Sequence, residues 1–429
     1  MVKKIHFVGI GGIGVSALAQ YYKARGWRVS GSDAAASPVT AMLKECGIKI
    51  FIGHKKSQMA GTSRVVYSAA ISADNPELTA ARRAGIPILS YAQAVGELTK
   101  KYYTLAVAGS HGKSTTTALL GLLLVKAGLD PTIIVGTKLR ELGDRNFRLG
   151  HGKYLVLEAD EFSRSFHQYY PHLAVVTNID AEHLDTYQTL RGVIAGFKRY
   201  LRNVPQDGYI VANASDAAVR SAVKGIRGPK VIFFTDRFSS HRLSIPGVHN
   251  QLNAEAAWQA ARVLGIKREL AEKVFSAYKG AWRRLEELQP RVFSDYAHHP
   301  TEIRATLQAL REQYPHRRII CVFQPHHQDR LTRLFHQFKK AFNGADATML
   351  LPLYKVAGRE LGGGKTSQDL CAAIGRTDVI YEENMRSVFR FAAAERKKGS
   401  VAVFMSAGDL DAKARKRFGG KGPSITGRS

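Results

Sequence analysis

Tyr103-Thr104-Leu105-Ala106-Val107-Ala108-Gly109-Ser110-His111-Gly112-Lys113-Ser114-Thr115-Thr116-Thr117 is the stretch that decides the fold. Five apolar or β-branched residues lead into G-x-x-G-K-S-T, and a leucine-rich helical pattern, Ser114–Lys126, follows. Strand, tight loop and helix in that order form a phosphate-binding unit. Backbone N–H groups at the loop cradle phosphate, Lys113 reaches the β- and γ-phosphates, and the Ser114 hydroxyl can ligate Mg²⁺. Gly109, Ser110, His111, Gly112, Lys113, Ser114 and Thr115 are therefore expected to bind ATP. The loop is two residues shorter at its start than G-x-x-x-x-G-K-[ST], since Val occupies position 107. The run of hydroxyls at Thr115–Thr117 adds to the expectation.

The same arrangement occurs upstream. Ile5–Val8 is a short apolar strand, Gly9-Ile10-Gly11-Gly12-Ile13-Gly14 satisfies G-x-G-x-x-G, and Val15–Arg25 reads as a helix. Gly9, Gly11, Gly12 and Gly14 let the backbone approach a pyrophosphate. Asp33 ends the next strand, Arg28–Ser32, where an acid commonly binds a ribose hydroxyl. This predicts a diphosphate-nucleoside site and leaves the ligand open between NAD and a nucleotide sugar. Lys3 and Lys4 before an apolar run imitate a signal peptide, but four glycines interrupt its core, so a strand and turn are expected instead.

Strands alternate with helices along most of the chain: Val65–Ser68, Ile86–Ser90, Tyr154–Leu157, Leu173–Thr177, Arg318–Phe323, Thr348–Leu351, Val379–Tyr381 and Val401–Met405. The fold class is α/β with mainly parallel sheets. A chain of 429 residues exceeds one ordinary domain. Three are expected: 1–98 Rossmann-like, 99–285 a P-loop-type ATPase domain, and 286–429 again Rossmann-like. Gly96–Lys101 and Arg283–Pro290 are the expected linkers, and the basic segment from Lys413 onward is expected to fray.

Composition excludes several classes. At 45% hydrophobic and 23% charged the chain supports buried cores. No apolar run approaches the roughly 20 residues of a membrane span. Cys46, Cys321 and Cys371 are few and far apart, which suits a reducing cytosol and implies neither a disulfide framework nor a zinc site. The formal charge of +28 is consistent with anionic substrates. No recognition motif accompanies it, so nucleic-acid binding is not expected.

Glu158 and His183 fall where the next parallel strands should end. Side chains beyond the carboxyl ends of neighbouring strands converge on one crevice, so with Ser114 they form the candidate Mg²⁺ set. Gly362-Gly363-Gly364-Lys365-Thr366 imitates a third phosphate loop, but no strand precedes it, and a flexible loop is expected there.

Two nucleotide loops in successive α/β units, followed by a third such unit, resemble the Mur ligases of bacterial cell-wall synthesis. The likeness runs from about Ile5 to Asp409. It is carried by His6–Gly12, Gly109–Thr117, Glu158–Glu161, Thr177–Tyr187, Gly247–Ala254, Asp295–Glu302 and Phe323–His326. It implies that the first turn serves UDP, that the central domain binds ATP with two Mg²⁺ ions, and that the last domain brings the amino acid. Asn250 and Asn253 would approach adenine, Arg284 the phosphates and Asp295 the ATP ribose, while His298 and His326 would face the substrates. From the residues alone, Asn250 is equally a helix N-cap, and His298-His299 a surface turn ended by Pro300. The implied reaction joins L-alanine to the lactyl carboxylate of UDP-N-acetylmuramate through an acyl phosphate, in a cytoplasmic monomer or weak dimer. Lys113, Glu158, His183, Arg284 and His298 would be its catalytic residues. The alternatives are a recycling ligase that adds a whole peptide to the same sugar and a non-catalytic UDP-sugar binder. Two departures from the family stand out besides the basicity. The stretch between Ala212 and Gly247 is short, and His327-Gln328 replaces an expected Arg-Tyr, which leaves Arg330, with His327, to hold the amino-acid carboxylate.

Overall fold

The computed structural model describes residues 3–235, 237–239, 242–354 and 363–419. They form three sheets. The first contains β1 (Lys4–Val8), β2 (Arg28–Asp33), β3 (Lys49–Ile52), β4 (Arg64–Tyr67) and β5 (Ile88–Ser90), in the order β3-β2-β1-β4-β5. All its pairings are parallel. This is the doubly wound order, and the strand sequence reverses at β1, whose carboxyl end carries the first glycine turn.

The second sheet contains β6 (Tyr103–Ala108), β7 (Thr132–Leu139), β8 (Arg145–Arg148), β9 (Tyr154–Glu158), β10 (Leu173–Val176), β11 (Tyr209–Asn213) and β12 (Lys230–Phe234). Its order is β12-β11-β10-β6-β9-β7-β8, parallel except for the β7–β8 hairpin. β6 is central and flanked by β9 and β10, so Lys113, Glu158 and His183 leave the sheet at the same end. The helix Lys113–Lys126 is buried along Ser114–Leu124, as its near-continuous apolar sequence requires. Thr116 and Thr117 are fully buried within it.

The third sheet contains β13 (Glu286–Gln289), β14 (Val292–Asp295), β15 (Ile319–Phe323), β16 (Ala347–Leu350), β17 (Val379–Tyr381) and β18 (Val401–Met405), ordered β13-β14-β18-β15-β16-β17. Only β13 runs antiparallel.

The chain divides into two compact units. One holds the first two sheets, residues Met1–Leu243 and Leu252–Lys279; the other holds the third, residues Ser244–Gln251 and Gly280–Ser429. Within the first unit the β7–β8 hairpin packs on the helix Ile13–Ala24 that follows the first glycine turn. Asn146, fully buried, donates from Nδ2 to the Ile13 carbonyl (2.6 Å) and to Ser16 Oγ (3.0 Å). Its Oδ1 accepts from Gln20 Nε2 at 2.8 Å. Every polar atom of that amide group therefore has a partner, as burial demands.

Several local expectations are corrected. Gly96–Lys101 is no linker: most of it lies in the helix Tyr91–Thr99, whose Ser90 cap accepts from the Gln93 N–H. Arg283–Pro290 includes a paired strand, because Glu286 and Glu287 lie opposite Ser294 and Phe293. Leu410–Phe418 is helical, with Arg415 bound to Asp411 and Glu286, while residues 420–429 lie outside the described residues. Gly363–Thr366 leads into the helix Ser367–Ile374, capped by Thr366, and Gly362 is not among the described residues.

Candidate active site

Gly112 adopts φ +81°, which favours glycine, and an added Cβ would lie 2.1 Å from Asn253 Oδ1. The loop is clamped from β10 as well. His111 N–H donates to Asn178 Oδ1 (2.8 Å), Thr177 Oγ1 and Asn178 Nδ2 donate to the His111 carbonyl (2.7 and 2.9 Å), and the Ser110 N–H donates to the Asn178 carbonyl. A loop held this way has its backbone preorganised for an anion, which is what a phosphate site needs.

Lys113 Nζ donates to the Gly109 carbonyl (2.7 Å) and to both carboxylate oxygens of Glu161, at 3.0 and 2.8 Å. Glu161 is fully buried. Burial acts to lower the lysine, but Glu161, Asp160 and Glu158 more than reverse it, and its ammonium is held above the ordinary value. Burial pushes Glu161 up to about 8 against the pull of Lys113. These tendencies oppose each other at one contact, and geometry decides: an amine reaching both oxygens of a carboxyl group is an ammonium on a carboxylate.

Glu158 ends β9, and its Oε2 accepts from Ser114 Oγ (2.9 Å) and from the Gly136 N–H of β7 (2.7 Å). A hydroxyl and a carboxylate so paired offer the hard oxygen donors that Mg²⁺ prefers. His183 lies beside Glu161. Its φ of +51° turns it toward Glu161 and Glu182, each 3.7 Å from Nε2, and with Asp160 and Glu161 it forms a group whose ligand atoms lie within 4.8 Å of one another. Two groups of donors therefore gather near Lys113, Ser114–Glu158 and Asp160–Glu161–His183. Sequence alone does not distinguish Glu161 from its neighbours Glu158 and Asp160.

At the first turn, Gly11 N–H donates to Asp33 Oδ2 at 2.8 Å. Asp33 thus shapes the glycine turn itself, in addition to standing where a ribose would be read.

In the second unit, Asp295 ends β14 with its carboxylate accepting from the Leu285 and Ala297 N–H groups (2.6 and 2.7 Å). Burial raises it to about 6 despite Arg284 and those two donors. Arg284 lies over the Tyr296 ring (5.1 Å) and 4.0 Å from Glu302. His298 Nδ1 contacts the Tyr296 carbonyl (2.8 Å) and Glu302 (3.3 Å). His299 is no surface residue. It is fully buried and caps the helix Pro300–Gln313 with Glu302. Asn250 is the third residue of the helix Val248–Arg262, so it does not cap it; its Nδ2 donates to the Pro246 carbonyl. His326 stacks on Tyr354 (5.4 Å, 14°), and burial with its neighbours His327, His298 and Arg330 pushes it down to about 3, a neutral imidazole at neutral pH. His327 precedes the helix Gln328–Arg333, which carries Arg330.

Three family models cover most of the chain: the Mur ligase family catalytic domain at residues 4–103, the Mur ligase middle domain at 107–243, and the Mur ligase glutamate ligase domain at 283–408. A UDP-N-acetylmuramate–L-alanine ligase of Aquifex aeolicus is 36% identical over 440 residues, covering 95% of this chain and 96% of the relative. The chain belongs to the Mur ligase family. It is an ATP-dependent, amide-bond-forming ligase of three α/β domains. A second enzyme with the same name, from Acetivibrio thermocellus, is 38% identical over 445 residues, covering 95% and 94% of the two chains. Among solved structures, the UDP-N-acetylmuramate-alanine ligase of Thermotoga maritima superposes with a TM-score of 0.81 at 27% identity, over 96% of this chain and 97% of that one. A murein peptide ligase from Psychrobacter arcticus shares the fold at a TM-score of 0.72 and 23% identity, over 96% and 98%. No helix among the described residues is long and apolar enough to cross a membrane.

Proposed function

We propose that the protein joins L-alanine to the lactyl carboxylate of UDP-N-acetylmuramate at the expense of ATP, in the cytoplasm. The observation that carries this reading is the convergence of Lys113, Ser114 and Glu158 at the carboxyl end of the second sheet, in the same compact unit as the β1 glycine turn. A Mur ligase needs both: one turn for UDP and one loop for ATP. The substrates follow from the names of relatives matching over nearly the full chain.

A free carboxylate is a poor acyl donor, because its leaving group would be oxide. Attack of a carboxylate oxygen on the γ-phosphorus breaks the bond to ADP and gives an acyl phosphate. The alanine nitrogen then attacks the carbonyl carbon, phosphate leaves, and the nitrogen loses its proton. Both transition states concentrate negative charge on phosphoryl oxygens, and Lys113 with Arg284 would stabilise it. Asn250, Asn253 and Asp295 would hold adenosine, while Gly9, Gly11, Gly12, Gly14 and Asp33 would hold UDP. Ser114–Glu158 and Asp160–Glu161–His183 fit two Mg²⁺ ions by donor chemistry, and bound Mg²⁺ neutralises phosphate charge. For Lys113, metal and nucleotide would replace part of its contact with Glu161.

The test is phosphate release with UDP-N-acetylmuramate, ATP and each small L-amino acid. Release that depends on L-alanine is the expected result. Release that requires a peptide identifies the recycling ligase, and binding without release identifies a UDP-sugar binder.

Arg330 would take the alanine carboxylate, helped by His327. A guanidinium fork matches a carboxylate better than imidazole does. Arg330→Ala should therefore raise the KM for alanine by about one to two decades, the worth of a charged hydrogen bond. His327→Arg should lower it, with the KM for ATP nearly unchanged in both. An unaltered alanine KM in Arg330→Ala would place the carboxylate elsewhere.

A further inference from the structure

Any ligase of this kind must hold the acceptor carboxylate between the turn that binds UDP and the loop that binds ATP. One side chain outside the expected set lies next to the first, on a helix held to the segment that follows the acids of the ATP site. Tyr91 is the first residue of the helix Tyr91–Thr99, fixed by the Ser90 cap. Its ring stands on the helix that begins at the first glycine turn. A methyl group on Gly14 would lie 2.7 Å from the Tyr91 hydroxyl oxygen and 2.9 Å from Cζ. A side chain at position 14 would therefore have to displace the phenol tip.

The rest of the helix is locked to the chain that follows the acids of the ATP site. A Cβ on Gly96 would meet the Gln168 carbonyl at 2.3 Å, and the Tyr170 N–H donates to Thr99 Oγ1 at 3.1 Å. Gln168 and Tyr170 are the end of the segment that Asp160 and Glu161 begin. Tyr91 itself is half-buried, and its hydroxyl makes no hydrogen bond among the described residues. Burial, with the charges of Asp160 and Glu158 nearby, holds the phenol above its ordinary value. It therefore stays a neutral donor across the physiological range.

We propose that the Tyr91 hydroxyl donates a hydrogen bond to the carboxylate of the UDP-linked acid, orienting it between the first glycine turn and Lys113. The proposal rests on the ligase function proposed above. Its chemistry suits the position. A phenol donor leaves the carboxylate anionic and nucleophilic, whereas a cation there would compete with the γ-phosphate for its charge.

Tyr91→Phe removes one oxygen and keeps the ring against Gly14. Calorimetry should be run with UDP-N-acetylmuramate and with UDP-N-acetylglucosamine, which carries no carboxylate, alongside thermal melting and steady-state kinetics. The expected result is about a tenfold loss of affinity for the acid-bearing ligand, within the range for one hydrogen bond to a charged group, and a fall in kcat. Affinity for UDP-N-acetylglucosamine and the melting temperature should not move. Equal weakening of both ligands would show a role confined to the fold of the UDP site, and no change in either would remove Tyr91 from the site; both overturn the proposal. Failure of the ligase reading is separately visible, since the wild-type protein would then release no phosphate with UDP-N-acetylmuramate whatever the calorimetry shows.

Discussion

Replacing Lys113 with alanine should lower kcat by about a thousandfold or more, since deleting one preorganised donor to a developing oxyanion already costs about two to three decades. Affinity for the UDP sugar, measured by calorimetry, should stay within about twofold, because the first glycine turn ends a different sheet. Loss of UDP-sugar binding would show that the two turns do not serve separate ligands. The structure adds a second consequence. Lys113 neutralises Glu161, which is fully buried, so the variant leaves a carboxyl group with its main partner gone. Breaking a buried pair from one side costs about 3–5 kcal/mol, less whatever protonation recovers. The folded-state pKa of Glu161 then lies above its unfolded value, so the folded state binds the extra proton. Stability of the variant should accordingly fall as pH rises above the ordinary carboxylate range. Adding Glu161→Gln should restore the melting temperature without restoring turnover, which separates the two roles of the lysine.

Glu158→Ala and His183→Ala should each lower activity by about two decades at limiting Mg²⁺ and raise the Mg²⁺ concentration needed for half-maximal rate, as loss of a charge-stabilising group implies. The double variant should fall by less than the product of the two. The two donor groups, Ser114–Glu158 and Asp160–Glu161–His183, both adjoin Lys113 and would act on one phosphate chain, so their effects are coupled. Multiplicative losses at saturating Mg²⁺ would mean unrelated roles.

Much of this was legible in the chain because the central strands are apolar runs that end at glycine or acid. Val401–Met405 and Tyr103–Ala108 occur where periodicity predicts them. The two loops follow their strands for the same reason. What the sequence hid was of two kinds. Marginal strands such as β7, broken by Gly136, and β13, polar and next to Pro290, take their pairing from neighbours and carry no strong pattern of their own. Helix Tyr91–Thr99 was missed because Gly96, Glu97 and the following lysines look like a linker; Gly96 is there to let Gln168 approach. Site detail was hidden where function depends on which atoms meet. The Ser114–Glu158 pair could be foreseen from strand ends, but the Lys113–Glu161 contact, the Asp33–Gly11 bond and the burial of His299 are tertiary facts.

The Asn146 amide, threaded between the hairpin and the helix Ile13–Ala24, bears on how the molecule comes apart. A fragment ending near residue 98 would uncover Tyr21 and the polar faces of Ser16 and Gln20, which the hairpin covers in the whole chain. Such a fragment would be sticky and poorly soluble. The first two sheets should instead melt as one cooperative block, with amide protons in β1 and β6 exchanging through the same global opening. A proofreading protease in the cell would then see either the whole block or none of it, and partial nicking near residue 100 would be rare.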